Sequence, residues 1–164
     1  IDMVMGARNS FSHLNSLLKY LQNMKPGKTT LTAPALHQIA DDVNRRALIV
    51  LFSDLFDNPP DIVKALAHFR KLHHDVILFH VLDPMEIDLK FKKGGEFEDM
   101  ETGEIVVADP RSIIDEYRKV FAEFLEQYRK PCAEMRIDYR MVNTGQALED
   151  FVRAYLEERK RFSK

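Results

Sequence analysis

Ala47-Leu48-Ile49-Val50-Leu51-Phe52-Ser53-Asp54 is the stretch that decides the fold. Six consecutive apolar residues end abruptly at a hydroxyl and a carboxylate. A short apolar run without alternation reads as a strand covered on both faces, the mark of a parallel sheet. Val76-Ile77-Leu78-Phe79-His80-Val81-Leu82 repeats the pattern and closes at Asp83-Pro84. Between the two, Asn58-Pro59-Pro60-Asp61 starts a helix with Ile62, Val63, Leu66, Phe69 and Leu72 inward, and His73-His74-Asp75 makes the turn. Strand, helix and strand of these lengths predict a right-handed crossover.

Working outward, residues 1–8 carry no clear period. Ser10 or Ser12 can cap a helix whose apolar residues, Leu14, Leu17, Leu18 and Leu21, share one face. Lys25-Pro26-Gly27-Lys28 ends it. A second helix follows threonines 29, 30 and 32, with Leu36, Ile39, Ala40 and Val43 as its buried stripe and Pro34 in its first turn. Downstream, residues 85–108 alternate. Glu96–Met100 and Ile105–Ala108 read as a β-hairpin turned at Thr102-Gly103. A long helix runs from about Pro110 to Met135, its inner face including Ile113, Ile114, Tyr117, Val120, Phe121, Phe124, Leu125 and Tyr128, with a kink expected at Pro131. Ile137–Val142 is a third strand. Gln146–Lys160 is a last helix, with Leu148, Phe151, Val152 and Tyr155 buried. The order predicts an α/β fold: a Rossmann-like three-layer sandwich, its sheet mostly parallel, with helices on both faces. Residues 1–164 are expected to form one domain.

Composition bounds the function. A net charge of −2 argues against general nucleic-acid binding, which needs a basic excess to neutralise phosphates. No run of about eighteen apolar residues exists, so no membrane span is expected. Cys132 is the sole cysteine, which excludes an intrachain disulfide and a cysteine-based zinc site. A lone thiol and no visible signal peptide point to the cytoplasm.

In open α/β sheets, ligands bind beyond the carboxyl ends of the strands. That rule selects Ser53, Asp54, Asp57, Asp83 and Asn143-Thr144, and it draws in Thr29-Thr30 if that loop lies beside the first strand. Hydroxyls and carboxylates are hard oxygen ligands of the kind Mg²⁺ takes, so Thr29 and Asp54 could share a divalent ion. On spacing alone the stronger reading is structural: Thr29, Thr30 or Thr32 caps a helix and Asp54 caps the next turn.

Four blocks together carry a resemblance: Pro26-Gly27-Lys28-Thr29-Thr30-Leu31, Leu48–Asp54, His80-Val81-Leu82-Asp83-Pro84 and Glu101-Thr102-Gly103-Glu104. They resemble successive blocks of the von Willebrand factor A-like domain of a bacterial family, the domain of unknown function numbered 58. The resemblance implies a vWA-like fold with a metal-ion-dependent adhesion site, in which Thr29 and Asp54 hold Mg²⁺ and Ser53, Thr30, Asp57 and Asp83 line the binding edge. It also implies a MoxR-type ATPase as a protein partner. The Asp-x-Ser-x-Ser segment of such sites has no counterpart here, and Lys28 and Thr30 stand where the family often has glycine and aspartate. Tight Mg²⁺ binding is therefore not expected. The resemblance further implies the C-terminal portion of such a domain, without its first strand and helix and with the hairpin as an insertion. The Ala47–Phe52 strand would then present an open edge, through which a homodimer is expected.

Other constellations favour structural roles. His73 and His74 are adjacent in a turn, and His37, His68 and His80 lie on different elements, so packed or solvated histidines are expected rather than a metal site. Cys132 reads as a buried apolar thiol. Ser53 lacks a Gly-x-Ser-x-Gly elbow, and Gly94-Gly95 beside Lys90, Lys92 and Lys93 is not a phosphate loop. Arg159-Lys160-Arg161 reads as a solvated helix end. The reading is a non-enzymatic protein-interaction module. The alternatives are a metal-independent scaffold docking through a sheet edge, or a metal-assisted phosphoryl hydrolase using Asp54, which would lack an evident general base.

Overall fold

The computed structural model describes residues 5, 6, 8–24, 31–89, 95–98, 105–108 and 110–162. Three strands, β1 (Leu48–Ser53), β2 (Asp75–Leu82) and β5 (Asp138–Asn143), form a parallel sheet in the order β1-β2-β5. The helix α3 (Pro59–Lys71) connects β1 to β2, and α5 (Pro110–Glu134) leads into β5. Two further helices, α1 (Phe11–Asn23) and α2 (Thr32–Asp42), precede β1, and α6 (Leu148–Phe162) follows β5. After β2 come the short α4 (Pro84–Asp88) and the antiparallel pair β3 (Gly95–Glu98) and β4 (Ile105–Ala108). The expected hairpin is thus present. Its Thr102-Gly103 turn lies outside the described residues, as do Gly94, Lys90, Lys92 and Lys93.

The two sheet faces differ. On one, Leu36 and Ala40 of α2, Ile62, Leu66 and Phe69 of α3, and Tyr128 and Cys132 of α5 pack with Val76 and Leu78 of β2. On the other, among the described residues, α6 packs: Phe151 and Tyr155 cover Ile77, Phe79 and Val142. The Phe79 ring meets Tyr155 edge-on at 5.2 Å and Phe151 at 5.7 Å, a favoured aromatic arrangement. Helices on both faces confirm the Rossmann-like expectation.

The coverage of β1 departs from expectation. Its run is continuous in sequence, yet its burial alternates. Ile49 and Leu51 join the main core, whereas Leu48, Val50 and Phe52 are 53%, 43% and 65% exposed. The reason is lateral: α6 covers β2 and β5 and does not extend over β1. Helix stripes are also less buried than their periodicity predicts. Ser10 Oγ caps α1 by accepting from the His13 amide, but Leu14, Leu17, Leu18 and Leu21 are all exposed. Leu72, Val120, Leu148 and Val152 are likewise exposed. The helix α5 continues through Pro131 to Glu134.

Candidate functional site

At the carboxyl end of β1 the chain turns over Ser53-Asp54-Leu55-Phe56-Asp57, and each polar side chain there bonds to backbone. Ser53 Oγ accepts from the Leu55 amide at 3.0 Å, and Asp54 Oδ1 from the Phe56 amide at 3.2 Å. These are the local turns that Ser and Asp favour. Leu55 has a left-handed backbone, φ 55°, unusual for a branched side chain, and it is buried. Surrounding structure has to hold such a conformation in place.

It is held from below. His80, buried near the end of β2, places Nε2 2.8 Å from the Asp54 carbonyl oxygen and Nδ1 2.8 Å from Tyr139 Oη. A carbonyl only accepts, so Nε2 carries the proton, and Nδ1 accepts from the tyrosine. Burial lowers the His80 pKa below its ordinary value and so favours this neutral form. Burial also pushes Tyr139 up to about 12, which keeps its phenol proton. Next to this bond, Tyr128 Oη donates to the Leu55 carbonyl at 3.0 Å from within the core. Consecutive carbonyls of the rim loop are therefore fixed by two buried side chains from β2 and α5. Phe124 and Tyr128 pack edge-on against the His80 ring at 5.7 Å each, leaving it little freedom.

Asp57 links the loop to α2. Its Oδ2 accepts from the Thr32 amide at 3.2 Å and its Oδ1 from the Asn58 amide at 2.7 Å. The start of α2 thus lies beside the end of β1. Thr29 and Thr30 themselves lie outside the described residues. Phe56, between Asp54 and Asp57 in sequence, is 88% exposed. Periodicity could not single it out, because a loop residue belongs to no repeating face.

Asp83 occupies the same rim as the cap of α4. Its Oδ1 accepts from the Met85 amide at 2.8 Å, while Glu86 returns the bond to the Asp83 amide at 2.7 Å, a reciprocal capping box. Thr144 Oγ1 stands 3.4 Å from Asp83 Oδ2, so the β5 end reaches the β2 end. Gly145 makes that approach feasible: a Cβ there would come 2.5 Å from Pro84 Cγ. Gly145→Ala is therefore expected to destabilise by about 1–3 kcal/mol, as overpacking does. Thermal unfolding would show it as a lowered Tm, with Gly6→Ala, where a Cβ meets nothing, as the neutral control.

His37 and His68 are brought together across α2 and α3, with Nδ1 atoms 3.1 Å apart and His68 Nε2 3.4 Å from Asp41. His74 is buried, and its Nδ1 accepts from the Ala47 amide. Cys132 is buried, and burial pushes its thiol up to about 12, which disfavours the thiolate. Among the described residues, no group of three or more His, Cys, Asp or Glu side chains is placed to hold a metal ion. No helix among them is long and apolar enough to cross a membrane.

A parallel open sheet with helices on both faces, and a rim of turn-forming aspartates at its carboxyl edge, defines an α/β protein of Rossmann-like class. Residues 1–130 match the family described as Protein of unknown function DUF58, and the chain belongs to that family. Comparison with curated proteins and with solved structures finds no match.

Proposed function

We propose that this chain is a non-catalytic protein-interaction module of the von Willebrand A type, docking its partner on the strand-end rim at Asp54, Phe56 and Asp57. The observation that carries the reading is the pairing of an 88% exposed Phe56 with a loop fixed by buried His80 and Tyr128. An aromatic ring held in solvent on a rigid loop suits an interface anchor, since its ordering cost has already been met by folding. The rim carboxylates would select a partner surface with complementary cations. A MoxR-type ATPase is the partner class that the family resemblance suggests, in a cytoplasmic setting.

Mg²⁺ enters this reading only weakly. Asp57 has both oxygens engaged by amides, and those of Asp83 meet the Met85 amide and Thr144 Oγ1, which leaves Asp54, its Oδ1 accepting from the Phe56 amide, as the carboxylate with an oxygen to offer. One carboxylate does not make a Mg²⁺ site, so the described residues do not by themselves fit the ion. Any binding would depend on Thr29 and Thr30 and is expected with a dissociation constant on the order of millimolar or weaker. Calorimetric titration with Mg²⁺ and Mn²⁺ tests this, beside Asp54→Ala. Micromolar binding that vanishes in the variant would establish a complete site and overturn the weak-metal reading. The docking reading is tested by binding to a MoxR-type ATPase, with and without EDTA. Phe56→Ala is expected to weaken the complex by about thirtyfold or more, the effect of losing a hot-spot aromatic. An unchanged affinity would remove Phe56 from the interface.

A further inference from the structure

His37 and His68 stand apart from the rim. Their places on different elements predict no shared site, and the packing of α2 on α3 brings them together. His37 follows Leu36 on α2, and His68 precedes Phe69 on α3. Both neighbours lie in the main core, which seats the two helices side by side. The histidines meet at the partly exposed margin of that contact, where 25% of the His68 side chain is open to solvent and an ion can reach it. Their Nδ1 atoms are 3.1 Å apart, with ring centres at 5.3 Å and planes tilted by 41°. The rings thus meet by their Nδ1 edges and do not stack. Asp41, one turn after His37 on α2, places Oδ1 3.4 Å from His68 Nε2. A carboxylate there favours the proton on Nε2, which leaves the His68 Nδ1 lone pair facing His37.

We propose that His37 and His68 form a two-nitrogen site for a divalent transition ion that prefers imidazole, zinc or copper(II), with Asp41 orienting His68 from behind. The spacing carries the proposal. Two nitrogens each about 2.0–2.1 Å from one ion stand about 2.9 Å apart at a right angle and about 3.4 Å apart at the tetrahedral angle. The observed 3.1 Å lies between the two, so an ion can replace the shared proton after a small turn of each ring. His37 then carries its proton on Nε2, and both Nδ1 lone pairs reach the ion. A carboxylate behind a ligating imidazole is the usual device that fixes its tautomer and orientation. Asp41 lies at the far nitrogen of His68 and is not a third ligand, so water completes the coordination. A two-histidine site is compatible with the lack of a three-ligand group among the described residues. An ion there braces α3 against α2, whose Thr32 amide Asp57 holds at the rim.

Calorimetric titration of the full chain with Zn²⁺, Cu²⁺ and Mg²⁺ tests the proposal, with thermal unfolding followed in the same ions. One equivalent of Zn²⁺ or Cu²⁺ is expected to bind and to raise Tm, at least about tenfold tighter than Mg²⁺, a hard ion that prefers oxygen. His37→Gln and His68→Gln keep a polar side chain of similar reach, and each should weaken Zn²⁺ binding by more than about tenfold, while Asp41→Asn should cost about tenfold or less. Unfolding without metal shows that each variant is folded. Asp54→Ala should leave Zn²⁺ binding unchanged, which separates this site from the rim. Electron-spin resonance of the first Cu²⁺ equivalent needs no variant: its hyperfine pattern is expected to show two coordinated nitrogens. Zn²⁺ binding no tighter than that of Mg²⁺ overturns the proposal. So does Zn²⁺ binding that survives both histidine substitutions, or a copper spectrum with a single nitrogen.

Discussion

His80→Ala is expected to lower folding stability by about 3–5 kcal/mol, near the cost of emptying an aromatic-sized core site. Three losses add. The ring is fully buried against Phe124, Tyr128 and Tyr139, so its removal leaves a cavity. The Asp54 carbonyl loses its donor, and the Tyr139 hydroxyl loses its acceptor. His80→Gln should be milder, because its amide can still donate toward Asp54. The pair also separates packing from protonation. The folded-state pKa of His80 is lowered by burial, so the unfolded chain takes up a proton first as pH falls. Its contribution is therefore complete above about pH 6.5 and is lost as pH falls from there through the folded value. Denaturant titrations from pH 7.5 to 5 should show a fall in wild-type stability that is shallower in His80→Gln. Equal slopes would show that His80 is not the group responsible.

Tyr128→Ala is expected to cost a similar 3–5 kcal/mol or so, because the ring is fully buried between α5 and the β1 end. Tyr128→Phe is the more informative change. It keeps the ring and removes only the bond to the Leu55 carbonyl, at about 1–2 kcal/mol. The Asp57 amide still donates to that carbonyl at 2.8 Å, which limits the penalty. The effect should be local as well as small. Leu55 depends on its surroundings to keep a left-handed backbone, so the Leu55 and Asp57 amides should exchange faster while those of β2 do not. Uniform acceleration would mean that the bond supports the whole fold rather than the rim. If Phe56 anchors a partner, the same variant should weaken binding without touching the interface.

Much of the architecture was legible in local pattern. The apolar runs at 48–52 and 76–82, the helical spacing of Ile62, Leu66 and Phe69, and the capping signal at Ser10 each act over a few residues. Strand ends then located the rim, and Asp54, Asp57 and Asp83 do lie along it. What failed was coverage. Leu48, Val50 and Phe52 were expected inside because a run reports hydrophobicity, not whether a helix lies above it. The leucines of α1 make the same point: spacing shows which side chains share a face and says nothing of what opposes that face.

The sequence by itself determined the kind and order of the elements other than the short α4, which falls in the segment 85–108 that reads as alternating, since hydrophobic period, caps and turns are properties of neighbouring residues. Only the tertiary structure decided what the rim is made of. His80 meets Asp54 across 26 positions, Tyr139 meets His80 across 59 and Tyr128 meets Leu55 across 73. Bonds over such separations exist only once the strands are registered and α5 is packed. That packing favours a neutral His80 and leaves Phe56 in solvent.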